Sequence, residues 1–370
     1  MSQLYADIII DISHSAIDRV FQYRIGAEWE EQVQIGSLVI VPFGKGNAHR
    51  HGYVVGITQT PSYAPDKIKE IAEVPQKGIP IEGKLIQLAA WMRETYGTTM
   101  NQALQTVMPV KQTVRKTTQK VEETKLSEDQ WEFVTLNEEQ QALVDEFAED
   151  VQMSTRKTYL LHGVTGSGKT EVYIQCIKEV IREGGQAIVL IPEISLTYQT
   201  LARFRKHFGT HVAFVNSRQS KGEKYEQFRK AKDGEVDVVI GPRSALFTPF
   251  QNLKLIVMDE EHDSAFKSDQ APRYHARDVA IKRAELENAS VILGSATPSV
   301  ESYARAETGQ YRLWELKDRP DGVKAQKIEV VDLREELRLG NRSIISRCLY
   351  KKIQESLARK EQMMLFINRR

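Results

Sequence analysis

Residues 163–170, GVTGSGKT, satisfy the pattern G-x-x-x-x-G-K-[ST] between an apolar run and a stretch of helical periodicity. Phosphate chemistry needs that layout. A loop of Gly163, Thr165, Gly166, Ser167 and Gly168 lets backbone N–H groups curl around an anion, and the start of the next helix adds the positive end of its dipole. Lys169 can reach β and γ phosphates, and the Thr170 hydroxyl can ligate Mg²⁺. Such a loop does not by itself separate kinases, GTPases and motors, so a second element must decide.

That element is the apolar run 255–258, which ends in Asp259-Glu260-Glu261-His262. A carboxylate at the C-terminal end of a buried strand faces the nucleotide crevice and can hold Mg²⁺ through water, the role expected of Asp259. Glu260 is then placed to orient and polarise an attacking water, and His262 to couple nucleotide state to neighbouring motifs. A third string, GSATP, ends another apolar run; its Ser295, Ala296 and Thr297 stand where small hydroxyl residues can hydrogen-bond the acidic cluster and sense the γ phosphate. These strings argue against a small-molecule kinase on a phosphate-loop scaffold.

Alternating elements are needed to position three such strings. Strands are predicted at 158–162, 187–191, 212–215, 236–240, 253–258 and 290–293, with helices at 171–182, 197–208, 222–233 and 277–287. The alternation implies right-handed βαβ units and a parallel sheet covered on both faces, an α/β lobe built around the phosphate loop. The first 75 residues read instead as β-rich, with runs at 7–12, 20–25, 37–41, 53–57 and 68–74 between Gly, Pro and polar turns. A helix over 81–107 follows, with Leu85, Leu88, Ala89, Met92 and Tyr96 on one face and Pro109 ending it. Residues 110–130 are polar and charged and read as a linker. The expected organisation is therefore a β-rich domain at 1–109, a linker at 110–130 and an ATP-binding lobe at 131–320, with residues 321–370 following it.

The net charge of +1 supplies no global field toward nucleic acid, so any DNA contact must come from a local groove. Cys176 and Cys348 are the only cysteines, which excludes a disulfide framework and any multi-cysteine zinc site within this chain. No basic, apolar leader and no membrane-length run occurs, so no membrane partner and a cytoplasmic, nucleoid-associated location are expected.

The strings GVTGSGKT, DEEH and GSATP, in this order, resemble superfamily 2 DNA helicases of the DEAH type. The longer strings 191–197, 241–250, 259–278 and 293–306 resemble more narrowly the bacterial primosomal helicases of replication restart, and the resemblance covers nearly the whole chain. It implies an ATP-dependent 3′→5′ DNA helicase that reloads the replication machinery at stalled forks, with ATP and Mg²⁺ as cofactors and forked or single-stranded DNA and primosome proteins as partners. It also implies that Gln140 reads the adenine edge and that Glu193, Ser195, Thr197, Arg243 and Ser244 track the single strand. Phe266, Lys267, Arg273, Tyr274, His275 and Arg277 resemble the family's aromatic-rich loop, which stacks bases and holds phosphates. The β-rich domain resembles the one that recognises a nascent 3′ end, where this chain has Gln22 in place of the family's usual acidic residue.

Against that pattern, residues 110–130 are too few for the family's winged helix. The string 364–370 resembles only the opening strand of the second lobe, without its arginine finger or its cysteine-rich zinc region. Hydrolysis by this chain alone is thus an open expectation, and a non-catalytic fork-DNA-binding protein that retains nucleotide binding is the alternative.

Overall fold

A computed structural model describes residues 3–12, 17–75, 82–108, 135–195, 197–317 and 328–367. The expected linker 110–130 and Pro109 lie outside the described residues. The chain divides into a unit spanning Met1–Pro320 and a second spanning Asp321–Arg370.

The first unit opens with a small antiparallel sheet of β1 (Tyr5–Ile10), β2 (Phe21–Arg24), β3 (Leu38–Phe43) and β4 (Ala48–Thr58), in the order β2-β1-β4-β3. Period-two alternation decides which face each side chain covers. Ala6, Ile8 and Ile10 join Tyr23, Val39, Val41 and Val54 in one core, whereas Ile9 and Tyr53 turn to the opposite face. The run expected at 68–74 contributes only two isolated bridges, Arg24 to Glu70 and Ile40 to Glu73.

The single helix expected over 81–107 is two helices, α1 (Gly83–Tyr96) and α2 (Met100–Val107). Gly97 ends α1 in the left-handed region at φ 60°, which glycine adopts at least cost, and Thr99 restarts the chain as a capping box with Gln102. Apolar periodicity ran through both helices, and only the cap chemistry separates them. The predicted face is the buried one: Leu85, Leu88, Ala89 and Met92 pack with Ile9 and Tyr53 of the small sheet. The same helix lies along the large lobe, where Lys84 Nζ meets Glu287 Oε2 at 2.7 Å.

The large lobe contains α3 (Glu138–Gln152), β5 (Thr158–Gly163), α4 (Lys169–Arg182), β6 (Gln186–Leu190), α5 (Tyr198–Phe208), β7 (Val212–Phe214), α6 (Lys221–Lys232) and β8 (Val238–Gly241). After these come β9 (Leu253–Asp259), α7 (Ala276–Glu287), β10 (Ser290–Ser295), α8 (Val300–Glu307) and β11 (Arg312–Leu316). Its seven strands are all parallel, in the order β11-β5-β10-β9-β6-β8-β7. Burial on both faces explains the unbroken apolar runs. Tyr159, Leu161, Val189, Val257 and Ile292 pack against α3 and α4, while Leu160, Leu190, Met258 and Leu293 face the side of α7 and α1. The edge strand β11 was not foreseen; it adds Trp314, which lies 4.2 Å from Tyr159 and 6.3 Å from Phe147 of α3 between ring centroids.

In the second unit, α9 (Leu333–Arg338) and α10 (Arg347–Ala358) are the helices among the described residues. Of the strand expected at 364–370, residues 364–367 are not in strand conformation and 368–370 lie outside the described residues; an isolated strand leaves its backbone groups unpaired, and no partner strand occurs among the described residues of this unit.

Phe147 is fully buried between α3 and the sheet. Phe147→Ala is expected to lower the unfolding free energy by about 3–5 kcal/mol in urea titrations followed by circular dichroism; a change under about 1 kcal/mol would show that α3 is not docked there.

Candidate nucleotide and nucleic-acid site

Strand order brings the three strings to one edge of the sheet. β10 lies between β5 and β9, with Gly294 in register with Leu161 on one side and Asp259 on the other. The phosphate loop, the turn after Ser295 and the acidic cluster therefore leave adjacent strands at their C-terminal ends, where ligands of open α/β sheets bind.

The loop from Gly163 to Gly168 is held by its glycines. Gly166 and Gly168 have φ of 83° and 82°, a region that a side chain would strain. A Cβ at Gly168 would also meet Gln140 Nε2 at 2.2 Å, and one at Gly163 would meet Ser167 Oγ at 2.6 Å. Gln140, at the start of α3, is buried, donates to the Ser167 carbonyl at 2.9 Å and caps Asn137 N–H at 3.0 Å. Its amide thus braces the loop. Thr165 is exposed on the loop, and Thr170 is half-buried in the first turn of α4.

Lys169 Nζ folds back to donate to the carbonyls of Gly163 at 2.7 Å and Val164 at 3.4 Å. Burial pulls its ammonium below the ordinary lysine range, and Glu260 and Asp259 oppose that shift. Ser167 Oγ is buried with no hydrogen-bond partner. A lysine resting on carbonyls, an unsatisfied hydroxyl and a glycine cradle are the features that a phosphate would complete, so the residues present fit a nucleoside triphosphate with Mg²⁺.

Opposite the loop, Asp259 Oδ1 accepts from the Tyr173 hydroxyl at 3.0 Å. Burial raises the Asp259 pKa, with the Glu260 charge adding to it. Two carboxylates in a partly desolvated site favour a nearby cation, and the Lys169 ammonium lies close enough to oppose the shift at Asp259. Glu260 takes φ of +50°, which turns its half-buried side chain toward His262, 3.7 Å from its carboxylate. His262 Nδ1 lies 2.7 Å from Ser295 Oγ and Nε2 lies 3.3 Å from Thr297 Oγ1. The hydroxyl residues and the acidic cluster meet as the sequence indicated, with half-buried Ala296 as the small spacer between them.

Glu261 is the residue that sequence reasoning passed over. It is fully buried, and its carboxylate accepts from Ser299 N–H at 2.6 Å, from the Ser302 hydroxyl at 2.9 Å and from Arg277 Nη1 at 3.4 Å. Arg277 also donates to Ser299 and Ser302 at 2.8 and 3.0 Å. No spacing in the sequence announced this cluster, because Glu261 follows β9, Arg277 lies in α7, and Ser299 and Ser302 cap and enter α8.

The cluster corrects one expectation. Arg277 is buried and spent on Glu261, so it does not present a cation to DNA. Phe266 and Tyr274 are likewise buried, Tyr274 edge-on to Phe247 at 5.8 Å, and offer no face to a base. Apolar rings beside a large core gain more from burial than a surface loop would return, roughly 1.5–3 kcal/mol for such a side chain. His275 caps α7 by accepting Arg277 N–H, and burial lowers its pKa. Lys267 and Arg273 stay exposed.

Among the other expected DNA contacts, Ser195, Thr197 and Ser244 are exposed at strand C-terminal ends, Thr197 also capping α5. Glu193 accepts from Ser217 N–H at 3.0 Å, and Arg243 donates to the Ala265 and Lys267 carbonyls, so both are occupied in holding loops. Gln22 is buried against Asp7, 3.2 Å away. No group of metal-ligating residues of zinc type occurs among the described residues, and no described helix is long and apolar enough to cross a membrane.

Fold and site together define a RecA-like lobe of the DEAD/DEAH-box class. A family model described as 3′DNA-binding domain (3′BD) matches residues 7–109, and one described as DEAD/DEAH box helicase matches residues 137–306. Replication restart protein PriA of Bacillus subtilis is 51% identical over 239 residues, 65% of this chain and 30% of that protein. PriA of Chlamydia muridarum is 32% identical over 446 residues, covering 100% of this chain and 59% of its own length. The structure of RecG bound to a three-way DNA junction superposes with a TM-score of 0.44 at 23% identity, over 61% of this chain and 28% of that one. The chain belongs to the PriA family of replication restart proteins, and it spans 30% and 59% of the length of these two relatives.

Arg277→Met should leave the Glu261 carboxylate buried without its cation, at a cost of about 3–5 kcal/mol in unfolding free energy. Fluorescence anisotropy with single-stranded DNA at a temperature where the variant stays folded should show unchanged affinity; a large loss there would restore Arg277 as a DNA contact.

Proposed function

We propose that this chain is the ATP-binding and DNA-engaging part of a 3′→5′ DNA helicase of replication restart. The observation that carries the reading is the convergence of Lys169, Asp259, Glu260, His262 and Ser295 at the C-terminal edge of three adjacent strands. Lys169 exchanges the carbonyls of Gly163 and Val164 for phosphate oxygens, which costs little because the ammonium already sits in the cradle. Thr170 and Asp259 are the residues that would hold Mg²⁺, whose charge would offset that of the β and γ phosphates. Glu260 orients the attacking water and takes its proton, while His262 passes the state of Glu260 to Ser295 and Thr297.

The exposed Ser195, Thr197, Ser244, Lys267 and Arg273 serve single-stranded DNA, with Lys267 and Arg273 supplying phosphate contacts that weaken as salt rises. The 3′DNA-binding domain match over residues 7–109 supports a role for the small sheet at forked DNA. Primosome proteins are the protein partners that family membership suggests. Hydrolysis by motors of this type draws on cations from a second lobe, an arginine being worth about 10³–10⁵ in rate.

Lys169→Ala should weaken binding of a fluorescent ATP analogue by roughly 10- to 100-fold, the worth of a charged hydrogen-bond set, and leave forked-DNA binding intact. Wild-type nucleotide affinity in that variant would remove the phosphate-loop assignment. Hydrolysis stimulated by forked DNA and lost in Glu260→Gln would mark the chain as catalytic alone; nucleotide and DNA binding without turnover would mark it as a binding module.

A further inference from the structure

The nucleotide site contains a buried tyrosine for which neither strand-end chemistry nor the phosphate loop calls. Tyr173 lies in α4, four residues beyond Lys169, and therefore on the same face of that helix. It is 1% exposed, and its hydroxyl donates to Asp259 Oδ1 at 3.0 Å. The hydroxyl reaches that oxygen through a gap in β10. A Cβ at Gly294 would fall 1.5 Å from the Tyr173 hydroxyl oxygen and 2.6 Å from its ring carbon, so no side chain of any size is compatible with this placement. Gly294 is also the register partner of Asp259 across β10 and β9. The missing side chain is thus located beside the carboxylate that the phenol contacts.

We propose that Tyr173 is a positioning residue for the divalent cation, fixing the Asp259 carboxylate through a notch opened by Gly294. One helix then carries both the lysine for the phosphates and the brace for the carboxylate, so the spacing between them is set by α4 rather than by loop conformation. A tyrosine buried only for packing would satisfy its hydroxyl with any nearby carbonyl. Here the hydroxyl occupies the side-chain space that Gly294 leaves open on β10 and bonds the carboxylate expected to face the metal. Partners that orient metal-holding groups in this way are worth roughly 10- to 100-fold in metal affinity.

The inference rests on the nucleotide-binding reading above, and the test separates the two. With the full chain, binding of a fluorescent ATP analogue is titrated against Mg²⁺ and repeated in EDTA. Tyr173→Phe should raise the half-saturating Mg²⁺ concentration by roughly 10-fold and leave metal-free binding unchanged. Gly294→Ala, which keeps the hydroxyl and displaces it, should shift Mg²⁺ dependence in the same direction. Tyr159→Phe is the control: it removes another buried hydroxyl, bonded to Asp150 at 2.7 Å, and should cost stability without altering Mg²⁺ dependence. A Tyr173→Phe protein with wild-type Mg²⁺ dependence overturns the proposal, as does an equal shift in Tyr159→Phe. A wild-type chain that binds no nucleotide overturns the nucleotide-binding reading and this inference with it.

Discussion

Adjacency of β5, β10 and β9 in one parallel ladder is the constraint on which the site depends. Parallel pairing sends every strand's C-terminal end to the same edge, and the order of these three places the phosphate loop beside the serine turn and the serine turn beside the acidic cluster. A parallel sheet is stable only when both faces are covered, so this arrangement needs α3 and α4 on one side and α7 on the other, with α1 packed against α7. The helical pair therefore belongs as much to the lobe's core as to the small sheet from which it follows. Lys84 on Glu287 and the apolar face of α1 tie the two sheets into one unit.

Within that frame the site is a balance of partly desolvated charges. Burial pushes Lys169 and Asp259 toward their neutral forms; Glu260 and then Asp259 oppose the shift at Lys169, while at Asp259 the Glu260 charge adds to it and the Tyr173 hydroxyl and Lys169 oppose it. Glu261 lies deeper and is compensated fully, by Arg277 and by donors from Ser299 and Ser302. Asp259 and Glu260 stand at the sheet edge, where a cation could offset their charge, whereas Glu261 behind them is locked to the start of α7 and α8, joining the acidic strand to the segment that follows the aromatic loop.

Some of this was legible in the residues alone. GVTGSGKT, DEEH and SATP each demand a particular local geometry, and the apolar runs before them can only be strands buried on both faces. The parallel lobe follows from those patterns, and so do the roles proposed for Lys169, Asp259, Glu260 and His262. The face of α1 was equally plain, because Leu85, Leu88, Ala89 and Met92 recur at helical spacing. The break at Gly97 was not, since periodicity persists across it and a two-residue change in cap chemistry decides it.

Tertiary structure alone decided which polar groups would be used up. Arg277 and Arg273 are the same residue type four positions apart, yet one is spent on Glu261 and the other reaches solvent. Phe266 and Tyr274 read as surface aromatics until the core beside them is seen to have room for both. Sequence specifies chemistry where the partner is the backbone nearby, as in the phosphate loop. Where the partner arrives from another strand or helix, as Glu261 does for Arg277 or Gly294 for Tyr173, burial and distance exist only after the chain has folded.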